Sequence, residues 1–179
     1  SLVCGSTGSG KSVALKSIIE YAKLAKIKKI FILDPKFEFC RMNIKGVTII
    51  SEIDDIETAM EEFVKEMNIR VVDGTEELTL IVFDEFADAQ AQGKKGKDLD
   101  VYDMVEVGQV KVKTMFGEEL KPKMKRQKVG TKNSLEENLR ILLQKGRSVG
   151  FRIAAATQRA SAKIITGDAK ANFPNQICF

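Results

Sequence analysis

The sequence predicts an α/β fold in which a mostly parallel central sheet is flanked by helices. A glycine-rich stretch at residues 5–12 lies between a short apolar segment and a helical pattern. Short, continuous apolar runs, which are typical of buried parallel strands, alternate with amphipathic helical patterns. Polar or acidic side chains follow two of these runs directly, at residues 84–85 and 157–159. Because the carboxyl ends of parallel strands meet at one edge of a sheet, we expect a functional site at that edge.

The composition is that of a soluble globular chain. Its 179 residues are 44% hydrophobic and 30% charged, and they suit one domain, although two small domains remain open. No apolar run approaches the roughly 18 residues that a membrane span requires. The very short first and last strands indicate a fragment of a longer protein, so targeting segments are expected to lie elsewhere.

The cysteine and histidine content limits the kinds of catalysis that the chain can perform. The three cysteines, Cys4, Cys40 and Cys178, lack metal-ligand spacing, which favours reduced thiols in a cytosolic setting. The chain has no histidine, which excludes His-activated nucleophiles. Catalysis must therefore depend on carboxylates, Lys, Arg, hydroxyl groups and a bound metal.

The stretch Gly5-Ser-Thr-Gly-Ser-Gly-Lys11-Ser12 fits the pattern G-x-x-x-x-G-K-[ST] between a strand and a helix. Its glycines allow successive N–H groups to point at a polyphosphate, and the helix N-terminus adds partial positive charge. The lysine can reach the β- and γ-phosphates, and the following hydroxyl suits Mg²⁺. An ordinary glycine turn is the alternative, but it does not explain the Lys-Ser pair. The expected ATP-binding residues are Gly5, Ser6, Thr7, Gly8, Ser9, Gly10, Lys11, Ser12 and Val13.

Hydrophobic periodicity predicts the remaining elements. Helical spacing covers residues 12–26 and 54–67, and a capping box formed by Ser134 and Glu137 opens a third helix that Gly146 should end. In the second helix the predicted buried positions are Ile56, Met60, Phe63 and Met67. Strands are predicted at residues 2–4, 30–33, 47–50, 78–83, 151–156 and 176–179.

Asp84 and Glu85 follow the most strand-like run of the chain. In nucleotide-hydrolysing motors, such a pair supplies an Asp for the Mg²⁺ shell and a Glu that polarises the attacking water. Two solvated turn carboxylates are the alternative interpretation, which the phosphate-binding loop makes less attractive.

Residues 88–133 differ in character. Residues 93–133 carry 11 Lys and Arg against 6 Asp and Glu, a net charge of +5 in a chain whose total is +4. The alternating stretch 105–113 predicts a β-hairpin whose second strand follows residue 116. We therefore predict a basic β-hairpin insertion, and its cations either contact nucleic acid phosphates or form a solvated loop.

Several motifs together resemble one family, the FtsK/SpoIIIE-type DNA translocases of the FtsK–HerA group. The most specific are Asp-Glu-Phe-Ala-Asp at 84–88 and Ala-Thr-Gln-Arg at 156–159. The other matching segments are 3–13, 34–36, 66–67, 144–147 with 150, 165–167 and 170–174. The resemblance extends over nearly the whole chain except residues 88–133.

This resemblance implies a RecA-like P-loop NTPase whose sensor strand lies between the phosphate-loop strand and the Asp84-Glu85 strand. It implies that Lys11 and Ser12 bind phosphate and Mg²⁺, that Asp84 holds the metal through water, that Glu85 is the catalytic base and that Gln158 is the sensor. It also implies an arginine supplied by a neighbouring subunit, for which Arg147 is the first candidate and Arg159 the second. Arg147 alternatively satisfies carbonyls at the helix end.

The implied function is ATP-driven translocation of double-stranded DNA by a homo-hexameric ring, in chromosome segregation, conjugative transfer or genome packaging. The implied motor is cytoplasmic, with membrane tethering through regions outside this chain. The insertion departs from the family pattern and leaves pore and subunit contacts open. Two alternatives remain: a related secretion ATPase that moves protein, and a degenerate nucleotide-binding structural module.

Overall fold

The computed structural model describes residues 1–41, 44–93, 99–114, 117–158 and 171–179, and for residues 110, 112–114 and 117–119 it describes the backbone only. The chain separates into two compact units, one formed by Ser1–Lys95 with Ser134–Phe179 and the other by Gly96–Asn133. In chain order the elements are β1 Leu2–Cys4, α1 Lys11–Leu24, β2 Lys29–Leu33, β3 Thr48–Ile50, α2 Ile53–Asp73, β4 Thr79–Phe83, α3 Phe86–Gln92, β5 Leu99–Thr114, β6 Gly117–Lys132, α4 Leu135–Lys145, a 3-10 helix Gly146–Val149, β7 Phe151–Thr157 and β8 Gln176–Cys178.

The first unit is built on a six-stranded sheet with the order β3-β2-β4-β7-β1-β8, in which every pairing is parallel. The predicted α/β class with a parallel central sheet is confirmed. Strand β7 pairs with β1 on one side and with β4 on the other. The strand that ends in Thr157 therefore lies between the phosphate-loop strand and the Asp84 strand, as the resemblance implied.

Helices cover both faces of this sheet because the strand residues alternate between two hydrophobic clusters. One cluster joins α2, α3 and α4 to one face of the sheet, and the other joins α1 to the opposite face. Successive residues of β4 show the alternation, since Ile81 packs in the first cluster and Val82 in the second. Both faces of the central strands are thus buried, which explains their continuous apolar runs.

Helix α2 confirms the predicted apolar stripe and is longer than predicted. Ile56, Met60, Phe63 and Met67 are each at most 4% exposed. The sequence prediction ended at residue 67, but the helix continues to Asp73 because buried Arg70 anchors its last turns. The Arg70 guanidinium donates to the carbonyls of Glu77 and Val149, to Glu66 Oε1 and to Thr79 Oγ1.

Helix α4 begins as predicted, with Ser134 Oγ accepting the N–H of Glu137 at 3.3 Å. The predicted stop at Gly146 is confirmed, because α4 ends at Lys145 and Gly146 is its C-cap residue. Gly146 has a right-handed conformation, and the chain continues through the 3-10 helix. The left-handed residue is Gly150, with φ +93°, where a Cβ would lie 2.3 Å from the Glu77 carbonyl oxygen. Close passage of two backbone segments therefore sets the turn into β7.

The second unit is an antiparallel pair, β5 with β6. The alternating stretch 105–113 lies within β5, which begins at Leu99. The pairing shifts register between Val101 and Tyr102 and again between Glu106 and Gln109. Within the part of the chain that the structure describes, no helix is long and apolar enough to cross a membrane.

Candidate nucleotide site

The glycine loop connects β1 to α1, and its glycines adopt the conformations that the loop requires. Gly8 and Gly10 have φ values of +80° and +106°, in the left-handed region that L side chains rarely adopt. Gly10 directly precedes α1 and gives it no side-chain cap. Because the first N–H groups of a helix have no intrahelical acceptor, they remain suited to anionic oxygen.

Lys11 lies across this loop. Its ammonium group donates to the carbonyl oxygens of Gly5 at 2.8 Å and Ser6 at 2.9 Å, and the residue is buried. Ser9 Oγ is buried without a hydrogen-bond partner among the described residues. A Cβ on Gly5 would lie 2.4 Å from that oxygen, so a side chain at Gly5 would displace the Ser9 hydroxyl. The loop thus combines a cation, an unsatisfied hydroxyl and free N–H groups, which fits a phosphate.

Asp84 lies at the carboxyl end of β4, where its N–H donates to the Leu33 carbonyl at 2.9 Å. The pKa of its carboxyl group is raised to about 6, mainly by burial and also by the nearby carboxylates of Glu38, Asp34 and Glu85, against a smaller opposing effect of Lys36. Several acids close to a buried carboxyl group disfavour its ionised form unless a cation compensates them. This electrostatic environment therefore favours a bound cation.

Glu85 follows in the left-handed conformation, with φ +55°, and its backbone turns the chain from β4 into α3. Its Oε1 accepts the Thr157 hydroxyl at 3.2 Å and the Gln158 N–H at 2.9 Å. Its Oε2 lies 3.5 Å from Lys36 Nζ, which also pairs with Asp88 at 3.1 Å. Glu85 is 3% exposed, and each of its two carboxylate oxygens has a partner, Oε1 at the end of β7 and Oε2 at Lys36.

A loop that sequence reasoning did not assign to the site borders it. Asp34 is fully buried, and its two carboxylate oxygens accept the N–H groups of Glu38, Phe39 and Cys40. This fixes the loop after β2 and places Glu38 Oε2 3.3 Å from Ser12 Oγ. The available signal was an Asp-Pro pair directly after a buried strand.

Ser12 and Asp84 are the predicted Mg²⁺ ligands. Among the described residues, no group of three or more Asp, Glu, Cys or His side chains is arranged to hold a metal ion. Mg²⁺ in phosphoryl-transfer sites is usually bound by one or two protein oxygens, with phosphate and water completing its shell. A hydroxyl and one carboxylate suit that requirement, whereas an all-protein metal cage is not present in this part of the chain.

The other predicted site residues lie in different places. Gln158 contacts Glu85 through its backbone N–H, and its side chain is exposed. Arg147 lies in the 3-10 helix that precedes β7. It is therefore near the amino-terminal ends of the parallel strands, whereas the phosphate loop follows the carboxyl end of β1. Its carbonyl accepts Arg152 Nη1 at 3.0 Å. Arg159 lies outside the described residues.

A parallel α/β sheet with this glycine loop at the end of β1 defines the chain as a P-loop ATPase fold. The family model "Helicase HerA, central domain" matches residues 1–169. The chain therefore belongs to the HerA helicase central-domain family, which confirms the FtsK–HerA resemblance.

Known relatives and solved structures agree with this membership. The DNA translocase FtsK of Borreliella burgdorferi is 29% identical over 99% of this chain and 22% of its own length. The DNA translocase SftA of Bacillus subtilis is 28% identical over 99% of this chain and 18% of its length. This chain thus spans about a fifth of these relatives.

Two solved structures share the fold. The pCW3 conjugation coupling protein TcpA, in a monomer form with ATPgS, is 21% identical with a TM-score of 0.67, covering 99% of this chain and 47% of that one. The cytoplasmic domain of the Thermomonospora curvata type VII secretion ATPase EccC is 15% identical with a TM-score of 0.64, covering 99% of this chain and 20% of that one.

Proposed function

We propose that this chain is the ATP-hydrolysing module of a motor that translocates double-stranded DNA. The observation that carries the ATPase proposal is the contact of Glu85 with Thr157 and Gln158. Since β7 also pairs with β1, this contact brings a buried carboxylate next to the strand that ends in the phosphate loop. The DNA substrate is supported by the FtsK and SftA relatives, whose names describe DNA translocases.

In this proposal residues 5–13 bind the ATP phosphates, with Lys11 leaving the Gly5 and Ser6 carbonyls to contact the β- and γ-phosphates. Ser12 would hold Mg²⁺ directly and Asp84 through water, and the metal would neutralise charge on the phosphate oxygens. Glu85 accepts the proton of the attacking water as general base, and the backbone at Gln158 keeps its carboxylate oriented.

We propose a homo-hexameric ring in which a neighbouring subunit completes the site. Arg147 cannot reach the phosphate loop of its own chain, because it precedes β7 at the amino-terminal ends of the parallel strands and the loop lies at their carboxyl ends. Its contribution to hydrolysis therefore has to be made to another subunit, as an arginine finger. Arg159 remains the second candidate. The motor is proposed to act in the cytoplasm, with any membrane tether outside these residues.

A protein-moving secretion ATPase is the competing function. The secretion ATPase EccC shares the fold at 15% identity, whereas the sequence relatives at 28–29% identity are DNA translocases. Similarity at the sequence level favours DNA as the substrate.

The test is ATP turnover with and without duplex DNA, at increasing salt. We expect turnover to rise with DNA and this stimulation to fall with salt, because phosphate contacts release counterions. Glu85→Gln should retain ATP and lose turnover at every DNA concentration. If DNA does not change the ATP turnover of the unmodified chain, the DNA proposal is contradicted. A fully active Glu85→Gln variant would contradict the assignment of Glu85 as the base.

A further inference from the structure

Strand β6 divides its cations between two faces. Successive side chains of a strand point to opposite faces. Lys121, Lys123 and Lys125 therefore share one face, and we call these three residues the lysine row. Arg126 and Lys128 lie on the other face, because Arg126 pairs with Met104 and Lys128 with Tyr102 in the ladder.

The cations opposite the lysine row have partners within the hairpin. The Arg126 guanidinium lies 4.1 Å from the centroid of the Tyr102 ring, in a cation–π contact. Lys128 Nζ forms an ion pair with Asp100, whose carboxylate also accepts the Tyr102 hydroxyl at 3.2 Å. The contacts of Arg126 and Lys128 link β6 to β5, so these two cations stabilise the pairing of the strands.

The lysine row is different. Its three side chains are exposed, and no described carboxylate lies within ion-pairing distance of them. In the ladder Lys121 is paired with Val110 and Lys125 with Val105, so the cross-strand neighbours are apolar. At a rise of about 3.3–3.4 Å per residue the charges repeat every ~6.7 Å. Like charges in a row repel one another, and a polyanion with regularly spaced charges relieves that repulsion.

We propose that the lysine row is a binding surface for the phosphate backbone of double-stranded DNA. This inference rests on the proposed function, which supplies DNA as the substrate, and it assigns the contact to one face of one strand. The contact is made to phosphates by flexible ammonium groups, so it carries no base specificity. A two-stranded ribbon is also narrow enough for the DNA major groove, which is about 12 Å wide.

A different role for the same lysines is protection of an open strand edge. Exposed lysines on a two-stranded sheet discourage pairing with strands of other molecules. In that case the row would be needed for solubility and would contribute nothing specific to DNA affinity. The two roles differ in the salt dependence of DNA binding.

The experiment measures the affinity of the chain for a mixed-sequence duplex across a salt series. Replacing Lys121, Lys123 and Lys125 together with Gln should reduce the slope of log K against log salt by about 2–3, since each phosphate contact contributes ~0.9. The matched variant with Arg at the same three positions should keep the unmodified slope. Replacing the exposed Lys28, Lys45 and Lys65 of the first unit with Gln removes the same charge without removing a contact of the hairpin, and should change the slope by less than about 1.

An unchanged slope in the lysine-row Gln variant would overturn the proposal, as would an equal loss of slope in the control variant of the first unit. Aggregation of that variant with an unchanged slope in its soluble fraction would assign the lysines to edge protection. If the unmodified chain does not bind DNA at all, the proposed function fails before the lysine row is tested.

Discussion

The Thr157 hydroxyl donates a hydrogen bond of 3.2 Å to Glu85 Oε1, from the end of one central strand to the end of its neighbour. The same oxygen accepts the Gln158 N–H at 2.9 Å. The two donors approach the same carboxylate oxygen, and together they fix the orientation in which Glu85 presents its second oxygen. Thr157 is thus a positioning residue for the proposed base.

The first prediction follows from that contact. Thr157→Val removes the hydroxyl donor and keeps the side-chain volume, so kcat should fall about 10-fold, a part of the ~10²–10⁴ that a general base supplies. KM for ATP should change little, because Thr157 is proposed to contact Glu85 and not the nucleotide. Thr157→Ser is the control and should recover most of kcat. Steady-state turnover that is equal for Val and the unmodified chain would exclude the positioning role.

The second prediction concerns the stability of the ligand-free, metal-free chain. The pKa of Asp84 is raised from 3.8 to about 6 in the folded state, mainly by burial. Between those pH values the folded chain binds more protons than the unfolded chain, so this group lowers the free energy of unfolding as pH rises. Asp84→Asn should therefore be more stable than the unmodified chain at pH 7 by about 2–3 kcal/mol, at ~1.4 kcal/mol per pKa unit.

This difference should nearly vanish at about pH 2.5, which is below both pKa values, because Asp84 is then largely protonated in both states. Urea denaturation at both pH values, with a chelator present, measures it. The control Asp73→Asn changes an exposed residue at the end of α2 and should leave the pH profile unaltered. A stability gain that is equal at both pH values would show that Asp84 ionisation is not its cause.

The third prediction compares two cations that share acidic partners. Arg70 and Lys29 both pair with Glu66 and Glu77, but the Arg70 side chain is 5% exposed and that of Lys29 is 39% exposed. Arg70→Met leaves buried acceptors unpaired and removes the stacking on Phe151, so it should cost about 3–5 kcal/mol of unfolding free energy. Lys29→Met should cost less than ~1 kcal/mol, as is usual for an exposed pair. Comparable losses in denaturant titrations would contradict this ranking.

The fourth prediction tests the proposed subunit arrangement. Arg147→Ala should bind ATP normally and lose at least ~10²-fold in turnover, since an arginine finger contributes ~10³–10⁵. Lys11→Ala should lose ATP affinity but retain Arg147. Mixed rings of the two variants should hydrolyse ATP faster than either variant alone, because one supplies the arginine and the other the phosphate loop.

Arg140→Ala on α4 is the control for that experiment, since Arg140 bonds Glu137 and Gln144 on its own helix. It should keep normal turnover. If mixing restores nothing, Arg147 does not act between subunits.

The sheet and its helices follow from local patterns. Continuous apolar runs predict the central strands because both of their faces are covered, and the Ser134 cap marks the start of α4. The end of α2 could not be predicted in this way, because a charged residue, Arg70, fixes it through the carbonyls of Glu77 and Val149. Helix α3 was also missed, since only seven residues provide too little periodicity.

The phosphate loop and the two acids after β4 were readable from sequence because their residue types are contiguous. The contribution of Glu38 was not, since its contact with Ser12 depends on a loop folded around Asp34. Pairing of the Glu85 carboxylate with Lys36 likewise depends on the left-handed backbone of Glu85. Contacts that require a particular loop geometry leave no periodic signal in the sequence.

Strand β7 is shared by the two halves of the site. Its last residue accepts the Gly5 N–H through a carbonyl, at 3.4 Å, and holds Glu85 through a hydroxyl. Thr157 therefore supports both the loop proposed to bind phosphate and the carboxylate proposed to activate water. A shift of β7 by one residue along its neighbours would remove both supports together, so neither half of the proposed site can be rearranged through β7 without the other.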